Sequence, residues 1–365
     1  MPSLKKIIVQ DFRNIELQEL DFSPNVNCIT GGNGEGKTNL LDAIWYLSMT
    51  KSAFSASDRF NFRYGSDSFA IGGTYSMPGA PDMRIALEVP RGGTKILRRD
   101  DKPCPRLSDH IGLLPIVMVS PADVSMVSES GDERRRFANS VISQMDRGYL
   151  HSVQQYLRLL AQRNSLLRSD SPDTGLLEVL DARMSPLADA VAAGREEFVR
   201  GLNPLVSMYY ERISGGAEKV SVSYRTELDG LSFEELMRST RGRDLALGYT
   251  SAGIHRDDFV FTMDGHPIRR CGSQGQQKSF LVALKFAQYS LMKDDSGEAP
   301  MLLLDDLFDK LDMGRVQNLL QMVSGNGFGQ IFLSDSNKVR ISGIVDSLTS
   351  DRTYYEAAGG AFTRV

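Results

Sequence analysis

Gly31-Gly32-Asn33-Gly34-Glu35-Gly36-Lys37-Thr38 is the stretch that decides the fold, because it spells G-x-x-x-x-G-K-[ST]. Just before it, Asn25 to Thr30 (NVNCIT) is a short apolar run. After it, Thr38 to Met49 (TNLLDAIWYLSM) sets Leu41, Ile44, Trp45 and Leu47 at helical spacing. The predicted order is strand, glycine loop, helix. In that context the glycines let backbone N–H groups curl round phosphate oxygens, and the helix N-terminus adds a partial positive charge. Lys37 is then placed to reach β- and γ-phosphates, and Thr38 to ligate Mg²⁺. A dinucleotide fingerprint is excluded, since G-x-G-x-x-G begun at Gly32 would need a glycine where Lys37 stands.

A second apolar strand, Met301-Leu302-Leu303-Leu304, delivers Asp305 and Asp306 at its C-terminal end, where open α/β sheets hold their ligands. Asp305 is the expected ligand of Mg²⁺ or its water, and Asp306 is placed to orient or deprotonate an attacking water. Taken alone, two carboxylates capping a strand are a common surface feature. Between the two strands lies Cys271-Gly272-Ser273-Gln274-Gly275-Gln276-Gln277, directly before an amphipathic helix. Ser273, Gly275 and Gln276 at a helix start present a hydroxyl and free N–H groups, anion-binding chemistry of the same kind as the glycine loop. An ordinary loop reads the same way, but in this company the segment resembles the signature motif of ABC ATPases. In that family the motif contacts the γ-phosphate of ATP held by the opposite subunit. The resemblance implies an ATP-dependent homodimer with two ATP molecules between its heads.

The rest of the chain bounds this reading. Its 365 residues suffice for a large core, and 41% hydrophobic with 24% charged residues is ordinary globular composition, so disorder is not expected. Ile7-Ile8-Val9 stops at Gln10-Asp11, too short for a secretion signal. The longest apolar run, Leu113 to Val119, contains Pro115 and falls short of the ~18 residues of a membrane span. Cys28, Cys104 and Cys271 are odd in number and lack C-x-x-C spacing, which argues against disulfides and zinc and fits a reducing cytoplasm. A net charge of -4 carries no global sign of nucleic acid. Basic residues do bunch at Arg91 to Lys102, Arg134 to Arg136, Arg241 with Arg243, and Arg269-Arg270, each a solvated run or a phosphate-contact patch.

Periodicity then divides the chain. Segments around Phe69 to Tyr75, Met83 to Val89 and Lys95 to Arg98 alternate as antiparallel strands do. From Glu133 to about Ile213 the period turns helical through Leu150, Val153, Leu157, Leu160 and Leu167, and Leu176 to Val199 continue it as helix core. Alternation returns at Phe259, Phe261 and Met263. Then come a helix from about Gln276 to Met292, the Met301 strand, a helix at Met313 to Val323, a strand at Gln330 to Leu333, and a closing pair near Tyr354 and Phe362. The expected fold is α/β: an ABC-type P-loop ATPase head split in sequence, residues 1–125 plus 245–365, with an inserted, mainly helical arm at residues 126–244.

Several blocks now resemble one family. Asp11-Phe12-Arg13-Asn14, Gly31 to Leu41, Arg134 to Phe137, Tyr156 to Arg158, Gln162 to Leu167, Gly253 to Asp258, Ser273 to Gln277 and Leu302 to Asp312 all look like RecF, in the family's order. The resemblance implies ATP contacts at Asn33 to Asn39, with Arg13 near the nucleotide, Mg²⁺ at Thr38 and Asp305, a trans signature at Ser273, and a D-loop at Asp309 to Asp312. It further implies a weak DNA-dependent ATPase that binds double-stranded, gapped or junction DNA, with RecR, RecO and RecA as partners and no membrane. Ala122-Asp123, Ile254 and Ser334-Asp335 depart from the family's acidic Q-loop segment, its proline before His255, and its threonine or histidine switch. His255-Arg256-Asp257 is not a kinase catalytic loop, because Thr262 stands where asparagine is required. The remaining alternatives are an ABC transporter subunit and a P-loop small-molecule kinase. For His255 itself a structural role and a role in nucleotide-state signalling both remain open.

Overall fold

The computed structural model describes residues 2–128, 131–216, 218–228, 230–306, 327–338, 343, 345–346 and 349–365. These form two compact units: Met1–Asp123, Arg212–Ser214 and Gln288–Val365 in one, Val124–Glu211 and Gly215–Ala287 in the other.

The apolar runs that flank the glycine loop in sequence become the middle of a sheet in the first unit. Its strand order is Ala361–Arg364, Arg352–Ala358, Val26–Thr30, Ile331–Asp335, Met301–Asp305, Ile116–Val119. All pairings are parallel except the terminal hairpin. The last four strands are buried at every residue. Parallel strands covered on both faces have no polar side, which is why they read as unbroken apolar runs. A second, antiparallel sheet runs Ile15–Asp21, Ser3–Phe12, Ser68–Met77, Ala80–Pro90, Ile96–Arg99, Lys102–Pro103. Here alternation is clean, with Met83, Ile85, Leu87 and Val89 buried from one strand.

The Lys37–Met49 helix packs against strands of both sheets. Its Leu40, Leu41, Ile44, Tyr46 and Leu47 are fully buried, as expected for a helix that is apolar all round rather than on one stripe. Tyr46, Phe12, Phe62 and Phe69 meet edge to face beneath the antiparallel sheet, the arrangement ring quadrupoles favour.

The second unit is helical, as its period predicts: Gly131–Met145, Arg147–Leu167, most of Thr174–Ser214, and Phe233–Leu247. Asp146, Asp173 and Ser232 cap three of these helices by accepting backbone N–H bonds, and Ser232 with Glu235 forms a capping box. The unit also holds a small sheet in which Val220–Arg225 pairs antiparallel with Asp258–Met263, from Val220 opposite Met263 to Arg225 opposite Asp258. That pairing explains a difference from the expected boundaries: residues 245–287 fold with the helices in the second unit, not with the glycine loop.

Two arginines sit in the interior of this unit. Arg163 is fully buried between Asp181 at 2.6 Å and Asp244 at 2.8 Å. Arg195 pairs with Asp257 at 3.1 Å and donates to the Ile254 carbonyl at 2.6 Å. Arg134, from the sequence's basic run, forks onto both carboxylate oxygens of Asp258 at 2.8 and 3.0 Å. Such charges survive burial because each meets its counter-charge with hydrogen-bond geometry. The expected Met313 to Val323 helix lies outside the described residues.

Candidate nucleotide site

The turn from the Val26–Thr30 strand into the Lys37–Met49 helix needs backbone that only glycine adopts freely. Gly34 has φ of 84°, and Gly36, the residue before the helix, has φ of 106°. A Cβ on Gly36 would also lie 2.8 Å from the Asn14 side-chain amide. Lys37 is buried, and its Nζ donates to the carbonyls of Gly31 and Gly32, both at 2.8 Å. Among the described residues no carboxylate lies within ion-pair distance of it. The ammonium is thus held on neutral oxygens inside the loop it serves.

Sheet topology brings the second motif here, since the Ile331–Asp335 strand separates and pairs with both the Val26 and Met301 strands. Thr38 Oγ1 donates to Asp305 Oδ2 at 2.8 Å, across 267 positions of sequence. The Ser334 hydroxyl donates to the other oxygen, Asp305 Oδ1. Burial is the main force pushing the Asp305 carboxyl above its ordinary range, opposed by the Ser334 and Thr38 hydrogen bonds and by Lys37. Asp306 has φ of 42°, and its N–H bonds to the Ser334 carbonyl and hydroxyl, both at 3.2 Å. Asp123, in the departed Q-loop position, is close enough to Asp305 for its charge to oppose ionisation.

Arg13 supports the loop from the side. Its Nη1 donates to Asn39 Oδ1 at 3.0 Å and its Nη2 to the buried Asp42 at 2.6 Å, while Asn39 reaches Asn14 at 2.7 Å. From the other side the C-terminal hairpin meets the loop: Gly360 N–H donates to the Glu35 carbonyl at 3.0 Å and Gly359 N–H to the Glu35 carboxylate. Gly360, at φ of 87°, approaches Asn14 so closely that a Cβ would lie 2.1 Å from its carbonyl oxygen. Ser334 falls at the switch position read from the sequence, whereas Asp42 and Gly360 carry no motif that marks them as supports of this site. Their signal is positional, a strand end or helix turn facing the loop, and single-chain periodicity does not carry it.

Ser273, Gly275 and Gln276 lie in the second unit, at the start of the Gln274–Ser296 helix. Ser273 N–H donates to Gln276 Oε1 at 2.7 Å and Gln276 N–H to Ser273 Oγ at 3.3 Å, a reciprocal cap. Gln276 also donates to Glu218 at 2.6 Å. Ser273 is exposed. Asp309 to Asp312, the expected D-loop, lie outside the described residues. His255 is a satisfied interior residue in geometry: Nε2 meets the Thr250 carbonyl at 3.1 Å, so it carries the proton, and Nδ1 accepts from Tyr156 OH at 3.0 Å.

A glycine loop joining strand to helix, with a parallel strand delivering a carboxylate to its threonine, defines a P-loop ATPase head of the ABC/SMC type. Comparisons narrow the class. Residues 3–343 match the family model for the RecF/RecN/SMC N terminal domain. The chain is 41% identical over 358 residues to the DNA replication and repair protein RecF of Porphyromonas gingivalis, covering 98% of each. A solved structure of the recombination mediator protein RecF-ATP in the RecFOR pathway matches with a TM-score of 0.90 and 26% identity, over 100% of this chain and 98% of that one. The Smc head domain from Pyrococcus furiosus matches at a TM-score of 0.59 and 14% identity, a likeness of fold alone. The chain belongs to the RecF family. These full-length matches favour neither the transporter nor the small-molecule kinase alternative. No described helix is long and apolar enough to cross a membrane.

Proposed function

We propose that the protein is a cytoplasmic recombination mediator of DNA repair, an ATPase whose ATP-bound homodimer holds double-stranded DNA near single-strand gaps. It would act with RecR and RecO in loading RecA, in replication restart and in the SOS response. The observation that best supports this is the Thr38–Asp305 hydrogen bond, in a chain that matches RecF relatives from end to end.

The residues fit Mg²⁺ and ATP. Among the described residues no group of three or more His, Cys, Asp or Glu side chains could hold a metal ion. Thr38 and Asp305 offer two hard oxygens, the sparse protein ligation typical of Mg²⁺ on phosphates. ATP with Mg²⁺ supplies the phosphoryl group to be transferred and the divalent charge that offsets its anion. Lys37, bonded only to carbonyls, is free to exchange them for phosphate oxygens. The N–H groups of Asn33 to Asn39 line the anion's place at the helix start. Ser334 fixes the Asp306 backbone; the Asp306 carboxylate would hold the attacking water, and its side chain is one methylene shorter than glutamate, so hydrolysis should be slow. Arg13 positions Asn39, the residue after Thr38. Ser273, Gly275 and Gln276 would present a capped helix start to the ATP of a partner copy.

The test is complementation, read as ATP binding and DNA-stimulated hydrolysis. Lys37→Ala should lose ATP binding. Ser273→Arg should bind ATP normally yet neither dimerise nor hydrolyse. Mixing the two creates one composite site with both halves intact, and part of the activity should return. Loss of ATP binding by Ser273→Arg would place Ser273 in its own subunit's site and refute the paired-head reading.

A further inference from the structure

The first unit carries a surface feature that the ATP site does not use. Arg59-Phe60-Asn61-Phe62-Arg63-Tyr64 interleaves cations with aromatic rings. Phe60 is 62% exposed and Tyr64 fully exposed, while most other rings of this unit are taken into its core. The exposure is not fraying. Asn61 is fully buried, and its carbonyl accepts from Arg13 N–H at 2.8 Å. Phe62 bridges to Phe12 and packs edge to face on Phe69 at 5.2 Å. The segment is therefore pinned from beneath through Asn61 and Phe62, and Phe60 and Tyr64 are left outward.

Cations lie over two rings of the segment, Phe60 and Phe62. The Arg59 guanidinium lies 4.5 Å over the Phe60 ring and that of Arg91 4.5 Å over Phe62. Arg91 also donates to the Ser66 carbonyl at 2.7 Å, which ties the strand end to this loop. Neither Arg59 nor Arg91 has a carboxylate partner among the described residues. Arg63 pairs at 2.7 Å with the exposed Glu16 and at 4.0 Å with Asp11. Exposed rings, one of them with a guanidinium on one face, beside cations without carboxylate partners suit a ligand that has both flat unpaired bases and phosphates. A duplex interior offers no free base faces.

We propose that Phe60 and Tyr64, framed by Arg59, Arg63 and Arg91, form a stacking platform for the unpaired bases of single-stranded DNA. This rests on the DNA-binding reading above and deepens it, by assigning the single-stranded side of a gap to a particular surface. Stacking supplies affinity without sequence preference, and the arginines hold the backbone.

The experiment uses the full-length protein with ATP at low salt, titrated into a labelled blunt duplex and into the same duplex carrying an oligo-dT tail. The wild type should bind the tailed duplex about tenfold more tightly. Phe60→Ala and Tyr64→Ala should each reduce that advantage by about fivefold, the double variant should abolish it, and Tyr64→Phe should retain it. Blunt-duplex affinity and DNA-free ATP hydrolysis should stay unchanged in all of them. A tail advantage that persists in the double variant, or is missing from the wild type while the blunt duplex binds, overturns the platform alone. Failure of the wild type to bind either DNA overturns the DNA reading and the platform with it.

Discussion

Buried charge is handled in opposite ways at the glycine loop of the first unit and in the interior of the second. In the second, Arg163 lies between two carboxylates and Arg195 meets Asp257. In the first, Lys37 rests on two carbonyls and Asp305 on two hydroxyls. Each of the second unit's charges meets a counter-charge inside the protein, which serves the fold, although Arg163 Nη2, Asp181 Oδ2 and Asp257 Oδ1 have no hydrogen-bond partner among the described residues. Lys37 and Asp305 are desolvated with neutral partners, an arrangement that costs stability and leaves each charge available to a ligand of opposite sign. The difference separates charges that hold the protein together from charges that hold something else.

The largest effect is expected where a pair is broken. Arg163→Met leaves Asp244 buried without its cation and Asp181 with only Arg241 at 3.5 Å, and should lower unfolding free energy by about 3–5 kcal/mol in urea titrations. Replacing both carboxylates by amides in the same chain should recover part of the loss. Lys37→Met removes a desolvated charge whose hydrogen-bond partners are neutral and which has only the longer-range attraction of Asp305, so stability without ATP should hold or rise. ATP affinity should nevertheless fall on the order of a hundredfold, as when one partner of a buried charge contact is truncated. If Lys37→Met destabilised the ATP-free protein as severely as Arg163→Met, the contrast between the two regions would collapse.

What the sequence shows of this arrangement follows from the range over which each signal acts. The glycine loop and the Met301 to Asp306 strand are legible because their patterns are local: glycines where φ must turn positive, and an apolar run where both sheet faces are covered. Even the helix through Ile213 survives Pro186 and Pro204, since its apolar period continues past them. Val220–Arg225 was not legible, because it is defined by pairing with residues 33 to 43 positions on, from Asp258 opposite Arg225 to Met263 opposite Val220; that pairing holds Asp258–Met263 in the second unit. The bracing of Glu35 by Gly359 and Gly360 is equally non-local. Asp305 was identified by its strand, but its hydrogen bonds to Thr38 and Ser334 required the sheet order.

A smaller effect tests the second unit's interior by pH. Burial, the largest cause, lowers the His255 pKa from 6.5 to about 4. Unfolding frees the imidazole to take up a proton, so the unfolded chain binds more protons between those values and stability falls as pH drops through that window. At 1.36 kcal/mol per unit the full loss is at most about 3 kcal/mol. His255→Gln, which can still donate to the Thr250 carbonyl, should flatten the acid side of the stability profile and leave the neutral side within about 1 kcal/mol. An unchanged acid limb would mean that other groups govern it.

The smallest effect sharpens the first unit's half of the comparison. Ser334 stands at the expected γ-phosphate switch, yet its hydroxyl donates to the Asp305 carboxylate and receives the Asp306 N–H, so it positions the first carboxylate and the backbone of the second residue. Ser334→Ala removes the hydrogen bond from a buried carboxylate oxygen. Because Asp305 keeps Thr38 and Asp306 keeps the Ser334 carbonyl, the stability loss should be only about 1 kcal/mol. Binding of ATP through the glycine loop should be unaffected, whereas kcat should fall because Asp306 loses one of the two contacts that fix its backbone. Ser334→Thr keeps the hydroxyl and should restore kcat. A residue that senses γ-phosphate directly would instead change ATP affinity, and would distinguish ATP from ADP less well once truncated. Measuring both nucleotides' affinities beside kcat therefore separates a positioning serine from a sensing one: a kcat loss at constant ATP and ADP affinity supports the first, and a collapse of the ATP-to-ADP preference assigns the second.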